Sequence, residues 1–173
     1  QAKAAVIAGA TCLVAEINPA AAKKRHEQGW VDEISTDVDF CIDRMIECSK
    51  NDEAKSIGFV GNIVDLWERL IERDVRVDLG SDQTSLHNPW QGGYFPVDCD
   101  FEESKSMMSD SSAEFSNCVR SSLLRHANAV NAMAAKGMHF WDYGNAFLLE
   151  CSRAGADVIN DDGSFTYPSY VED

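Results

Sequence analysis

At 173 residues, 45% hydrophobic and 25% charged, the chain has the make-up of an ordinary folded protein and can bury one sizeable core. Its 29 acidic residues against 15 basic ones give a formal net charge of −14, and no basic stripe with interleaved aromatics appears, which argues against a nucleic-acid partner. The apolar runs fall far short of a membrane span, no signal-peptide pattern is evident, and the six cysteines are scattered without a CxxC pair or zinc spacing; these features predict a cytoplasmic protein with reduced thiols, no metal site and no membrane partner.

Residues 2–8 are rich in helix formers, with Gly9 as a stop. Residues 12–17 form a short apolar run of strand length whose acid, Glu16, stands near its end. Asn18 and Pro19 then open a helix as N-cap and first residue, with Lys23, Lys24 and Arg25 late in it and Gly29 at its close. A polar crossing around Trp30 follows, and then a helix over residues 38–49 with Val38, Ile42, Met45 and Ile46 along one face. Residues 55–60 read as a buried strand ending at Gly61 and Asn62, followed by a helix stacking Ile63, Trp67, Leu70 and Ile71. Another strand is expected over residues 75–79, leading into an irregular loop around Pro89 and Pro96 and then an acidic stretch. A long helix spans residues 112–135, with Phe115, Val119, Leu123, His126, Val130 and Met133 at helical spacing and Gly137 after it. Residues 138–141 form a last strand candidate and residues 145–151 a last helix, with Asn145 as a plausible N-cap.

Helices alternate with short apolar strands of the kind buried on both faces of a parallel sheet, so the fold class is α/β, a single Rossmann-like parallel sheet flanked by helices over residues 1–173. Ligands in such sheets sit at the carboxyl ends of strands, which selects Glu16, Gly61 with Asn62, residues 82–87 and residues 142–145 as spots that would line one crevice. An acid at a strand end in a dinucleotide fold accepts hydrogen bonds from ribose hydroxyls and disfavours a 2′-phosphate, although a solvated glutamate has the same spacing. Such an acid follows a glycine-rich turn by about 20 residues, which puts that turn and its strand upstream of Gln1. Asn62 reads either as a helix cap or as backbone approaching a cofactor. The loop from Ser81 to Pro96 packs polar side chains, aromatics and a double glycine together; His87 in it suits a proton shuttle or a cap. His126, on an apolar helix face, reads as a satisfied core histidine. Tyr143 offers a flat ring and a hydroxyl to a nucleotide. These residues alone point to a nucleotide-binding α/β domain.

The string Ser-Asp-Gln-Thr-Ser-Leu-His-Asn-Pro at residues 81–89, with Gly92-Gly93-Tyr94 after it, resembles the urocanase family. The likeness extends to Val-Ala-Glu-Ile-Asn at 14–18, Gly61-Asn62, Phe-Trp-Asp-Tyr-Gly-Asn at 140–145 and Ser-Arg-Ala-Gly-Ala-Asp at 152–157. The resemblance implies a NAD+-binding domain within a longer enzyme. Its cofactor contacts would be Glu16, Asn62, Ile63, Gln83, Thr84, Ser85, Leu86, His87, Tyr94, Phe95 and Tyr143. The family's glycine turn ends in Gly-Ala-Gln, matching Gln1 at its last residue, and Ala21 stands where some members carry an arginine; Lys23, Lys24 or Arg25 would have to substitute. The implied reaction hydrates urocanate to 4-imidazolone-5-propionate in histidine degradation, with NAD+ serving as an electrophile rather than a hydride carrier. The family's active-site cysteine matches none of the six here, so the chain alone is expected to be inactive, and the full-length enzyme to be a homodimer. Two rival readings are a conventional NAD-dependent dehydrogenase domain and a non-catalytic acidic interaction module.

Overall fold

The computed structural model describes every residue except Gln83, Ser85, Asn145 and residues 171–173. The chain divides into two compact units, Gln1–Leu70 and Ile71–Asp173.

The first unit opens with α1 (Ala2–Ile7), then β1 (Cys12–Ala15), α2 (Pro19–Glu27), β2 (Glu33–Ser35), α3 (Val38–Lys50), β3 (Ser56–Phe59) and all but the last two residues of α4 (Ile63–Glu72). Its three strands are all parallel in the order β1-β3-β2, with Cys12 opposite Ser56 and Glu33 opposite Ile57. The central strand β3 is buried at all four positions, which explains its uninterrupted Ser-Ile-Gly-Phe run. Helix α2 begins as its sequence predicts: the Asn18 side chain accepts from the Ala20 and Ala21 N–H groups, and Pro19 takes the first helical position. In α3 the deepest residues are Cys41, Ile42 and Cys48, so the buried face turns away from the expected Val38, Met45 and Ile46 toward the two thiols.

Strand β2 has no counterpart in the sequence-based expectation. With Ile34 alone between Glu33 and Ser35, it is too short to show alternation. Polar bonds fix it instead: Asp32 Oδ2 accepts from the Ser56 N–H at 2.9 Å and from its hydroxyl at 2.8 Å, while Ser56 Oγ accepts from the Asp32 N–H at 3.0 Å. These bonds hold the Asp32 carboxyl below the usual range, and the Arg44 guanidinium does the same for Glu33.

The second unit contains β4 (Leu79–Asp82), α5 (Phe101–Asp110), α6 (Ser112–Ala135), β5 (His139–Asp142) and α7 (Phe147–Ala154), with a short 3-10 turn at Pro89–Gln91. β4 and β5 pair in parallel, Leu79 opposite His139 and Asp82 opposite Asp142. Its core joins Phe115, Val119 and Leu123 of α6 to Phe140 of β5, Phe147 and Leu148 of α7, and Leu86 and Tyr94 from the intervening loop, all at most 2% exposed.

Two expectations are corrected here. The strand expected over residues 75–79 begins only at Leu79, because the pairing that buries Gly80 and Asp82 uses a Gly-Ser-Asp segment that reads as a turn by propensity. The acidic stretch after Cys99 is the helix α5, set by a capping box in which Asp100 accepts from the Glu103 N–H and Glu103 accepts from the Asp100 N–H. The 24-residue α6 starts and ends as expected, and the glycine after it, Gly137, has φ of 102°. No helix among the described residues is long and apolar enough to cross a membrane.

Candidate functional site

In the first unit the residue of interest is Glu16, immediately after β1. Its N–H donates to the Phe59 carbonyl at 3.0 Å and its own carbonyl accepts from the Gly61 N–H at 3.1 Å, so the end of β3 fixes its backbone on both sides. The carboxylate lies half-buried: Oε1 accepts from the Asn18 N–H at 3.1 Å, and Oε2 is 3.8 Å from Arg25 Nη1. Of the three basic residues late in α2, Arg25 is the one paired with Glu16. Its guanidinium also donates to the carbonyl of Ala21 at 3.5 Å, so it returns along the helix toward the position where an arginine was missing.

Asn62 is buried and its Oδ1 accepts from the Val64 N–H at 3.0 Å, the bond expected of a cap on α4; Ile63, the first residue of that helix, is half-buried. Gly61 has a steric reason to be glycine. A Cβ there would overlap Cζ and Cε1 of the Phe59 ring and meet Cε2 at 3.0 Å. Gly61→Ala is therefore expected to displace Phe59 and the Glu16 carbonyl together. It should cost roughly 1–3 kcal/mol, measured as faster amide exchange at Glu16 and Val60; unchanged protection there would contradict it.

In the second unit the two strand-ending aspartates are both nearly buried, Asp82 at 4% and Asp142 at 5% exposure. Asp82 Oδ1 accepts from the Thr84 N–H at 2.9 Å and its Oδ2 from the Thr84 hydroxyl at 3.1 Å. Asp142 Oδ1 accepts from the Gly144 N–H at 2.8 Å and Oδ2 from the Leu148 N–H at 3.2 Å. Asp142 thus bonds a first-turn amide of α7, whose N-cap residue Ala146 supplies no side-chain bond. The suggested cap Asn145 lies outside the described residues, as do Gln83 and Ser85.

The remaining sequence-selected residues divide by exposure. Leu86 and Tyr94 are core residues at 0% and 1% exposure, Thr84 and Phe95 are half-buried, and His87 and Tyr143 are exposed. Phe95 packs on Phe101 with ring centroids 5.1 Å apart. Tyr143 is stacked on Tyr170, centroids 5.4 Å apart and planes 6° from parallel. Tyr170 is pinned there because its N–H donates to the Asp142 carbonyl at 2.7 Å, while the Asp142 N–H donates to the Pro168 carbonyl at 2.9 Å. Sequence reasoning missed Tyr170; the Tyr-Pro-Ser-Tyr run containing it carries no periodicity.

His126 is fully buried, as expected, but only half satisfied: Nδ1 lies 3.3 Å from the Tyr94 hydroxyl, while Nε2 has no hydrogen-bond partner among the described residues. All six cysteines are free. Burial pushes the Cys41 thiol up to about 11, and desolvation raises Cys151 further, so neither suits a nucleophile near neutral pH. Among the described residues no group of three or more His, Cys, Asp or Glu is placed to hold a metal ion. An open depression of about 430 Å³ beside Asn131, Asp157 and Tyr167 is lined by none of the candidate contact residues.

The urocanase Rossmann-like domain model matches residues 1–173, the whole chain. A probable urocanate hydratase of Dictyostelium discoideum is 55% identical over 177 residues, covering 100% of this chain and 26% of that protein. A probable urocanate hydratase of Caenorhabditis elegans is 52% identical, covering 100% and 27%. The urocanate hydratase of Mus musculus is 51% identical, covering 99% and 27%. The chain thus spans about a quarter of the length of the curated relatives it matches. With parallel strands flanked by helices and a family match from end to end, the chain belongs to the urocanase family and forms its Rossmann-like domain.

Proposed function

We propose that this chain binds NAD+ and serves as the cofactor-holding part of a urocanate hydratase. The observation that carries the reading is Glu16: a half-buried carboxylate at the carboxyl end of a parallel strand, its backbone locked to β3. That is the place where a dinucleotide fold positions an acceptor for ribose hydroxyls. Each unit holds further candidate contacts of its own: Asn62 and Ile63 at a helix start in the first, and Thr84, His87, Phe95 and Tyr143 in the second, where His87 and Tyr143 are exposed. Leu86 and Tyr94 would contribute main-chain groups, since their side chains are buried. Gln83 and Ser85 complete the set. When bound, NAD+ would supply an electrophilic ring; the chain's own work would be to hold and orient it.

The parent protein would then add water to urocanate, giving 4-imidazolone-5-propionate in histidine degradation, as a cytoplasmic homodimer. The names of the relatives support the substrate. Burial counts against Cys41 and Cys151 as the reactive cysteine; the family resemblance puts that cysteine elsewhere in the protein, with the chain by itself catalytically silent.

Calorimetry of NAD+ against NADP+ on the protein that carries this chain tests the reading, with Glu16→Ala as control. NAD+ should bind at least about tenfold more tightly than NADP+, and Glu16→Ala should remove most of that preference, the equivalent of about 1.4 kcal/mol. One observation favours a second reading: Arg25 beside Glu16 could accommodate a 2′-phosphate. Tighter NADP+ binding that is lost in Arg25→Ala would establish that reading and overturn the first.

A further inference from the structure

His126 lies outside every residue so far given a role toward the cofactor, yet it sits where two of the candidate segments meet. Its imidazole is fully buried and projects from α6. Nδ1 is 3.3 Å from Tyr94 Oη, Nε2 is 3.9 Å from Asp82 Oδ2, and the ring meets Phe147 edge-on with centroids 4.6 Å apart. Asp82 in turn holds the N–H and hydroxyl of Thr84. A buried polar atom without a partner costs stability unless something else selects it. An apolar side chain of similar size would fill the site without that cost.

We propose that His126 is a positioning residue for the cofactor loop: through Tyr94 and Asp82 it clamps the segment beginning at Asp82 to the one containing Tyr94. Both segments hold candidate NAD+ contacts, so the proposal rests on the dinucleotide reading above. Neutral imidazole suits the role because one ring nitrogen accepts while the other donates. With the ring proton on Nε2, the N–H lies 3.9 Å from the Asp82 carboxylate, an electrostatic contact longer than a hydrogen bond, and Nδ1 is left to accept the Tyr94 hydroxyl proton. Phe147 fixes the ring plane, so neither neighbour can shift without disturbing the other.

Two replacements separate clamping from packing. His126→Leu retains apolar bulk and discards both polar atoms. His126→Gln supplies an amide oxygen for the Tyr94 hydroxyl and an amide N–H for Asp82. In the protein that carries this chain, NAD+ affinity by calorimetry should fall about tenfold in His126→Leu and stay within about threefold of wild type in His126→Gln. The thermal midpoint should rank the other way, leucine at or above glutamine, because a buried amide is harder to accommodate than an alkyl group. Affinity that simply follows the thermal midpoint, or equal affinities in the two variants, would overturn the proposal. Should neither variant fold, Tyr94→Phe removes only the hydroxyl and is expected to weaken NAD+ about threefold; unchanged affinity there also overturns it. If the wild-type protein itself fails to bind NAD+, the dinucleotide reading falls. The clamp is then decided by amide exchange over residues 84–95, which must speed up in His126→Leu and not in His126→Gln.

Discussion

Replacing Asp142 by alanine is expected to raise amide exchange across α7 by about a hundredfold, the equivalent of about 3 kcal/mol of local stability. Asp142 is nearly buried, and its two oxygens accept from the Gly144 and Leu148 N–H groups. Leu148 is the second residue of α7, so its N–H has no acceptor within the helix. Ala146, the residue at the cap, cannot replace the lost acceptor. It also holds φ of 67°, a conformation that costs a non-glycine residue about 1–2 kcal/mol. Alanine at 142 would remove a charged acceptor from two amides in a buried place, where a lost partner is felt at full strength. Asp142→Asn retains the shape and one acceptor and should cost roughly 1 kcal/mol. Because the Asp142 main chain also carries the segment that lays Tyr170 on Tyr143, near-UV dichroism of the stacked pair should weaken in the alanine variant. Unaltered exchange over residues 147–154 in Asp142→Ala would show that the helix start is held by something else.

The same aspartate marks how far the sequence could be read. Long or punctuated elements were legible: the apolar spacing of α6 gives its limits to the residue, and Asn18-Pro19 gives the start of α2. Elements held by polar contacts were not. β2 depends on an Asp32–Ser56 exchange of bonds across 24 residues of sequence, and β4 pairs through Gly80, Ser81 and Asp82, residue types that argue for a turn. α5 was legible and overlooked, since Asp100 and Glu103 have capping-box spacing. At the candidate site the strand-end rule selected Glu16, Asp82 and Asp142 correctly as strand-end carboxylates. It could not tell an acid that faces a ligand from one that accepts from its own loop. All three bond a main-chain amide within six residues, Glu16 through the Asn18 N–H; Glu16 differs in that its second oxygen lies 3.8 Å from Arg25 Nη1. The role of Arg25 was open among three basic residues because only the helix geometry decides which one reaches back to Glu16.

Lowering the pH from 7.5 to 5.5 is expected to destabilise the second unit through His126. Burial pushes the pKa of this imidazole below its ordinary value, and the Asp82 carboxylate at 3.9 Å offsets only part of that effect. An unfolded histidine titrates near pH 6.5, so below about that pH the unfolded chain binds a proton that the folded one resists. Stability then falls as pH drops, with a slope that approaches about 1.4 kcal/mol per pH unit until the folded-state pKa is reached; above about pH 6.5 this group adds no slope. The carboxylates with lowered pKa, Asp32 and Glu33, act in the same direction, but their contribution is complete above their unfolded values near pH 4 and is lost only below. The two effects occupy separate windows. Amide protection in α6 around His126, corrected for intrinsic exchange, should therefore be flat from pH 7.5 to 6.5 and fall by about tenfold per unit at most below that. His126→Gln, which cannot titrate, should flatten the lower window. A slope that persists in that variant would belong to some other group, and a wild-type profile flat to pH 5.5 would mean that the imidazole is not held neutral by its burial.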